Sequence, residues 1–454
     1  MPDEPQTPTH SPARTLTRPA DPPAPTGPAA RSVPATAAAP PSAWLTRLLV
    51  VGLVLAALNL RPAITSLGAL LEEVRTGLHM SGGVAGLLTS VPPLCFAVFG
   101  IAAPRLARRF GGAAVVCAGM VAIAVGVAVR PFAGGTPGFL AASALALMGI
   151  ALSNVLMPVI VKRYFPDRVG TMTGLYSMAL ALGTSLAAAV TVPLTSALGG
   201  GWRAGLGVWA ILAVLAALPW IPVVRGHRTS TRPAPSGDAA PSAGASSSAG
   251  AAPSAGAAPA AGPRVARSRT AWALACFFGL QATGAYITMG WLPQIFRDAG
   301  VPAGTAGVLL AVTMVMGVPL AFVIPRVAGR MRQQGPIVIA LGLAGLAGYA
   351  GLLAAPAAGA WLWAVLLGIS NCAFPLVLTM IGMRARTDTG VVRLSAFAQC
   401  AGYLLSVPGP ILVGALYQHS GGWTAPLTLM AALIVPQVAA GVLAGRDRTI
   451  EDEA

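Results

Sequence analysis

Twelve times between residues 45 and 444 the chain runs for about 20 residues with hardly a charge, enough to cross a hydrocarbon core of roughly 30 Å as a helix. Inside a bilayer no water is present to satisfy backbone amides and carbonyls. A repeated run of this length therefore folds as a bundle of helices. The runs fall at 45 to 70, 84 to 104, 113 to 130, 138 to 161, 169 to 195, 203 to 224, 271 to 294, 304 to 325, 336 to 355, 360 to 383, 393 to 416 and 424 to 444. Only 9% of the 454 residues are charged, against about 25% in soluble domains. The formal net charge of +16 would suggest a nucleic-acid binder in a soluble chain. Here the arginines sit in connections between apolar runs, which excludes a nucleic-acid partner and leaves the lipid bilayer as their setting.

Arginine placement sets the expected orientation. The connections after spans 2, 4, 8 and 10 hold Arg105, Arg108, Arg109, Lys162, Arg163, Arg168, Arg326, Arg330, Arg332, Arg384, Arg386 and Arg393, whereas Arg75, Arg130, Arg203 and Arg297 read as outer-loop residues. By the positive-inside rule both termini are cytoplasmic, in a multi-pass protein of the plasma (inner) membrane. Residues 1 to 42 are rich in Pro, Ala and Thr without an apolar core, so span 1 is expected to act as its own insertion signal. The domain reading is a disordered tail over 1–43, a six-helix bundle over 44–224, an Ala-, Gly-, Ser- and Pro-rich disordered linker over 225–270, a second bundle over 271–446 and a tail over 447–454.

Within span 1, the stretch 48 to 71 carries one charge, Arg61, thirteen residues from one end and ten from the other. At a rise of about 1.5 Å per residue neither interface lies within its reach. A guanidinium at that depth costs at least about 2.5 to 3.5 kcal/mol unless it faces a polar cavity or a partner. Arg61 and Thr65 share one helical stripe, and Asn59, Pro62 and Ser66 the next. Pro62 has no amide hydrogen for the Leu58 carbonyl, so a kink is expected beside the charge.

The two halves of the chain repeat. Ala85-Gly86 recurs as Ala306-Gly307, Pro104-Arg105 as Pro325-Arg326 and Gly200-Gly201-Trp202 as Gly421-Gly422-Trp423, all 221 positions apart, and Ser153-Asn154 with Pro158 recurs as Ser370-Asn371 with Pro375, 217 apart. Duplicated bundles place a solute site at mid-membrane between them. Three stretches then carry a family likeness: NLRPAITSLGALL in span 1, GLLTSVPPLCFAVFGIAAPRLARRFG across span 2 and KRYFPDRVGTMTGLYS after span 4. They resemble the major facilitator superfamily, and within it the cyanate and 2-nitroimidazole transporter group. Leu106, Ala107, Arg109 and Gly111 match the superfamily's Gly-x-Leu-Ala-Asp-Arg-x-Gly signature, while Pro104 and Arg108 replace its Gly and Asp. The resemblance implies transport of small, often anionic or nitrogen-rich solutes.

The fold class expected is thus an all-α membrane protein of 12 transmembrane helices in two pseudo-symmetric six-helix bundles. The function expected is secondary active or facilitative transport of a small polar or anionic solute by alternating access. An exporter of nitroimidazole-like drugs is the competing reading, and a non-transporting membrane sensor a more distant one. Arg61 reads either as the solute's electrostatic anchor or as a clamp on main-chain carbonyls. Asn59, Thr65, Tyr176, Gln281, Asn371 and Tyr403 are candidates to line the cavity with it, although Asn154 and Asn371 near prolines equally suit hydrogen bonds to freed backbone. All thirteen acids lie in tails, loops or span ends, so proton coupling falls to peripheral groups: Glu72, Glu73, His79 or His419. Glycines in GLYSMALALG and GVLLAVTMVMG read as close helix contacts. The five cysteines have no metal-like spacing, no catalytic set or nucleotide-binding motif is found, and the expectation is a monomer with no cofactor, no metal and no enzymatic activity.

Overall fold

The computed structural model describes residues 43–230 and 265–453, so the expected disordered tail before Ala43 and most of the expected linker lie outside the described residues. Among the described residues every regular element is a helix. Twelve are long and apolar enough to cross a membrane: Thr46–Ala69, Gly82–Phe110, Gly112–Phe132, Thr136–Tyr164, Thr171–Ala197, Trp202–Arg225, Arg269–Asp298, Ala303–Ala321, Gly335–Ala354, Ala360–Met383, Gly390–Ser420 and Thr424–Ala444, here spans 1 to 12. Span 2 runs through Arg105, Arg108 and Arg109, residues expected in a connection, because cations suit the negative end of a helix.

Several spans break near mid-depth. Span 1 stops at Asn59, turns through Leu60 and Arg61 and restarts at Pro62. The Leu60 amide falls back to Ala57 O at 3.3 Å, a shorter loop than the helical bond that Pro62 then interrupts. Span 8 is interrupted at Met316, span 10 at Cys372 and span 11 at Val407, just ahead of Pro408.

Helices in lipid associate through close packing of small residues. A Cβ on Gly126 of span 3 would stand 2.6 Å from Ala142 O in span 4, and one on Gly86 of span 2 would stand 2.6 Å from Pro410 O in span 11. Of the glycine runs named above, Gly183 lies against Leu58 and Gly307 against Ala188, but Gly174 and Gly317 have nothing within 4 Å and need another account.

Residues Ile450–Glu453 form a short 3₁₀ turn packed on the helices. Ile450 is fully buried and its amide donates to Arg384 O at 3.0 Å. Glu453 accepts from Ser268 Oγ at 2.7 Å, the Thr270 amide at 3.0 Å and Thr270 Oγ1 at 2.8 Å, placing a carboxylate on the N-terminus of span 7. Arg384, expected as a loop charge, is buried at 2% exposure. Its Nε donates to Ala444 O at 2.9 Å and its Nη2 to Gly445 O at 3.0 Å and to Gln334, so it closes the C-terminal carbonyls of span 12.

Candidate functional site

The break in span 1 gives Arg61 its place. As the residue capping the segment Pro62–Ala69 it has φ −118° and ψ −28°, and its carbonyl accepts from the Ile64 amide at 2.9 Å and the Thr65 amide at 3.1 Å. Its half-buried side chain turns toward the other half of the molecule, within electrostatic reach of the Tyr286 and Tyr403 hydroxyls. Tyr403 stacks on Phe96 of span 2 with ring centroids 5.1 Å apart, and Phe278 meets it edge-on at 4.9 Å. The result is a cation beside an aromatic wall, at a junction of spans 1, 2, 7 and 11.

No carboxylate neutralises this charge. Among the described residues the ion pairs are Arg75–Glu72, Arg297–Glu73, Arg384–Asp447 and Arg386–Asp452. An anion or strong dipole entering beside Arg61 would thus meet an unneutralised donor in a low-dielectric setting.

The other sequence candidates divide. Thr65 is fully buried and its hydroxyl donates to Arg61 O at 3.0 Å, a backbone contact that removes it from the solute-facing set. Asn59 is 2% exposed and points away from Arg61, donating to Met120 Sδ at 3.9 Å in span 3. Tyr176 packs half-buried against a hydrophobic cluster that draws on both halves. Gln281 donates to Asn371 O at 3.0 Å and Asn371 Oδ1 at 3.3 Å and accepts from Gln437 Nε2 at 2.9 Å. The reason is chemical: Pro375 cannot donate to the Asn371 carbonyl four residues back, and the Gln281 amide takes its place. This network lines a separate small cavity with Tyr349 and Met430, inside the second six spans.

Two residues were missed. Tyr286 gave no sign in the sequence beyond its position seventeen residues into a span. Arg130, expected in an outer loop, is 1% exposed. Its Nη1 donates to Ala63 O at 3.0 Å and its guanidinium carbon lies 5.6 Å from the Phe139 ring centroid. The clamp considered for Arg61 is therefore made by Arg130, whose long stem carries the charge back into the bundle beside the broken helix. Its Nε and Nη2 have no hydrogen-bond partner, and neither has the Ser143 hydroxyl.

At the arginine-poor face the acids are engaged. Glu72 pairs with Arg75 at 2.8 Å, and that hydrogen bond raises the Arg75 guanidinium above its ordinary value. Glu73 pairs at 2.8 Å with Arg297 of span 7, joining the two halves. Asp298 accepts from Tyr417 at 2.9 Å and Trp423 at 2.8 Å. Gln418 accepts from the Gly83 amide at 3.3 Å, and Ser90 donates to Val407 O at 2.7 Å. With Gly86 against Pro410 and Gly307 against Ala188, this face is closed by contacts between the halves. His79 and His419 are exposed there, His79 in a left-handed turn at φ 52°.

The family profile described as Major Facilitator Superfamily matches residues 49–407. The chain is 36% identical to the "Uncharacterized transporter YycB" of Bacillus subtilis (strain 168), over 88% of this chain and 94% of that one. It is 32% identical to the "2-nitroimidazole transporter" of Escherichia coli (strain K12) over 89% and 96%, and 29% identical to the "Cyanate transport protein CynX" of the same organism over 84% and 93%. Among solved structures, a D-xylose-proton symporter superposes with a TM-score of 0.65 at 12% identity, covering 90% of this chain and 98% of that one.

Proposed function

Starting from a chain that belongs to the major facilitator superfamily, a multi-pass secondary transporter and not an enzyme, we propose that it carries a small polar or anionic solute by alternating access, with Arg61 as the electrostatic anchor. The observation that carries this is the half-buried guanidinium at the junction of the halves, facing Tyr286 and Tyr403, with no carboxylate paired to it. Structural arginines at such depth are neutralised by acids or carbonyls. Arg61 is left for a transient partner.

The solute binds with the arginine-poor face closed, and release of Glu73 from Arg297 and of Ser90 from Val407 accompanies its opening. In this reading the arginine-rich connections are cytoplasmic, with both chain ends on the same side. One chain suffices, since both walls of the site belong to it, and the two bundles flank the segment between Arg225 and Thr270. Where transport is proton-coupled, as is common in the superfamily, Glu73 is the acid placed to sense opening, because its partner sits on the other half.

A second reading draws on the aromatic wall. Phe96, Phe278 and Tyr403 are buried against one another, and as the halves part they would present a stacking surface that a three-atom anion would not use. A nitro-substituted heteroaromatic would use both the wall and Arg61. The relatives named for cyanate and for 2-nitroimidazole stand for these two chemistries.

Proteoliposome uptake separates them. With cyanate and 2-nitroimidazole offered in parallel, Arg61→Gln should abolish transport of both while Tyr403→Ala and Phe278→Ala selectively impair the heteroaromatic. Undiminished cyanate uptake by Arg61→Gln would overturn the anchor role.

A further inference from the structure

A second arginine has unmet bonding capacity. Arg130 spends one nitrogen on Ala63 O, and its remaining Nε and Nη2 are buried without partners. Arg130 borders a small cavity together with Ser143, Tyr286, Thr89 and Gly290, offering about 20 Å³ of free room to a water-sized molecule. Ser143 is likewise 1% exposed with its hydroxyl unpartnered. Thr89 does not compete, because its hydroxyl donates to Gly86 O at 2.9 Å within its own helix.

We propose that this cavity is a site for a compact inorganic anion of one to three heavy atoms, distinct from the site at Arg61. Arg130 and Ser143, which border it, carry three unpartnered polar atoms between them, and two of these belong to a cation. Water would satisfy the hydrogen bonds and leave the charge. An anion satisfies both, and none of the residues bordering the cavity is an acid. The room excludes a benzoate-sized or heteroaromatic solute, which sets this site apart from the aromatic wall.

Tyr286 connects the two sites. Its side chain borders this cavity and also lies beside Arg61. Ser143 and Thr89 each lie seven residues in from the arginine-poor ends of spans 4 and 2, about 10 Å along a helix. Tyr286 and Gly290 come from span 7 and the other lining groups from the first half. Separation of the halves thus opens this cavity, and the bound anion is held only while the arginine-poor face is closed. The inference rests on the proposed alternation for that last step alone.

The test is a thermal melt of the purified full chain in detergent, titrated with sodium nitrite and separately with sodium bromide, with sodium gluconate keeping ionic strength constant. The expected result is a saturable rise in melting temperature for the unmodified protein. The apparent Kd should weaken more than about tenfold in Arg130→Gln, as loss of a charge-assisted contact implies, and less in Ser143→Ala. Arg61→Gln removes the anion anchor proposed above, so a saturable rise that persists in Arg61→Gln and weakens when Arg130→Gln is added belongs to this cavity. No saturable rise in the unmodified protein overturns the proposal, as does a rise that is lost in Arg61→Gln or left unchanged when Arg130→Gln is added to it. Should Arg130→Gln fail to fold, bromide anomalous scattering from crystals of the unmodified protein decides: a peak beside Arg130 and Ser143 supports the site, and its absence at saturating bromide overturns it.

Discussion

Replacing Gly86 by Ala adds one methyl group at a close backbone crossing between the halves. That carbon would stand 2.6 Å from Pro410 O, 2.8 Å from Ile411 Cα and 3.1 Å from Ile411 O, and all three are backbone atoms that no rotamer change can move. Span 11 must retreat by several tenths of an ångström, at a cost in the range of overpacking, about 1 to 3 kcal/mol. The cost falls on the closed arrangement alone. When the arginine-poor face opens, Pro410 moves away and the methyl is accommodated, so the closed-to-open ratio should drop roughly 5- to 150-fold. The assay is the labelling rate of a Ser90→Cys thiol by a membrane-impermeant maleimide, in a background lacking the five native cysteines. Ser90 is 1% exposed and bonded to Val407 O, so it reacts only from the open state. Gly83, one turn away, has nothing within 4 Å of its added Cβ. Gly83→Ala is the matched control and should label at the parental rate. Equal rates for the Gly86 and Gly83 variants would refute the claim that this crossing holds the face shut.

Glu73→Gln and Arg297→Gln should each raise the same labelling rate by only a few-fold, since a half-exposed ion pair contributes about 0 to 1 kcal/mol, and the double variant should add nothing further. Gln281→Leu should lower the melting temperature, because it strands the Asn371 carbonyl at about 1 to 3 kcal/mol, while leaving KM for transported solute unchanged. For Glu453 burial favours the protonated form, but hydrogen bonds from the Thr270 amide, Ser268 and Thr270 prevail and hold the carboxyl below its ordinary value. A depressed folded value contributes stability above the unfolded pKa of about 4.3 and loses it as pH falls further. Glu453→Gln should therefore melt below the parent at pH 7, with the gap closing toward pH 3, and a gap independent of pH would count against the cap.

The spans were legible because each is a long apolar run, and span 1 emerges as Thr46–Ala69 where 45 to 70 was expected. Ends blurred where arginines continue a helix, as at Arg105 to Arg109, since a cation at a helix terminus looks the same in sequence as one in a loop. The break at Arg61 was legible from Pro62 alone. Which polar groups face one another was not. Gln281 and Tyr403 lie at similar depth in their spans, yet one bonds within the second half and the other stacks across to Phe96, a matter of helix rotation that no single-chain periodicity fixes. Arg130 was hidden by Pro131 and the Gly134-Gly135 pair, which announce a loop, while the path of its side chain depends on span 1 being broken beside it.

The fold of the last residues bears on how this protein can be handled and watched. Because Glu453 sits on the first turn of span 7 and Ile450 is packed beside Arg384, a label attached beside Glu453 is leashed to a helix that supplies Tyr286 to the site. A fluorophore attached there would report the swing of that helix during turnover. A bulky group placed there without a spacer would instead pry the carboxylate off its perch and loosen the start of that helix.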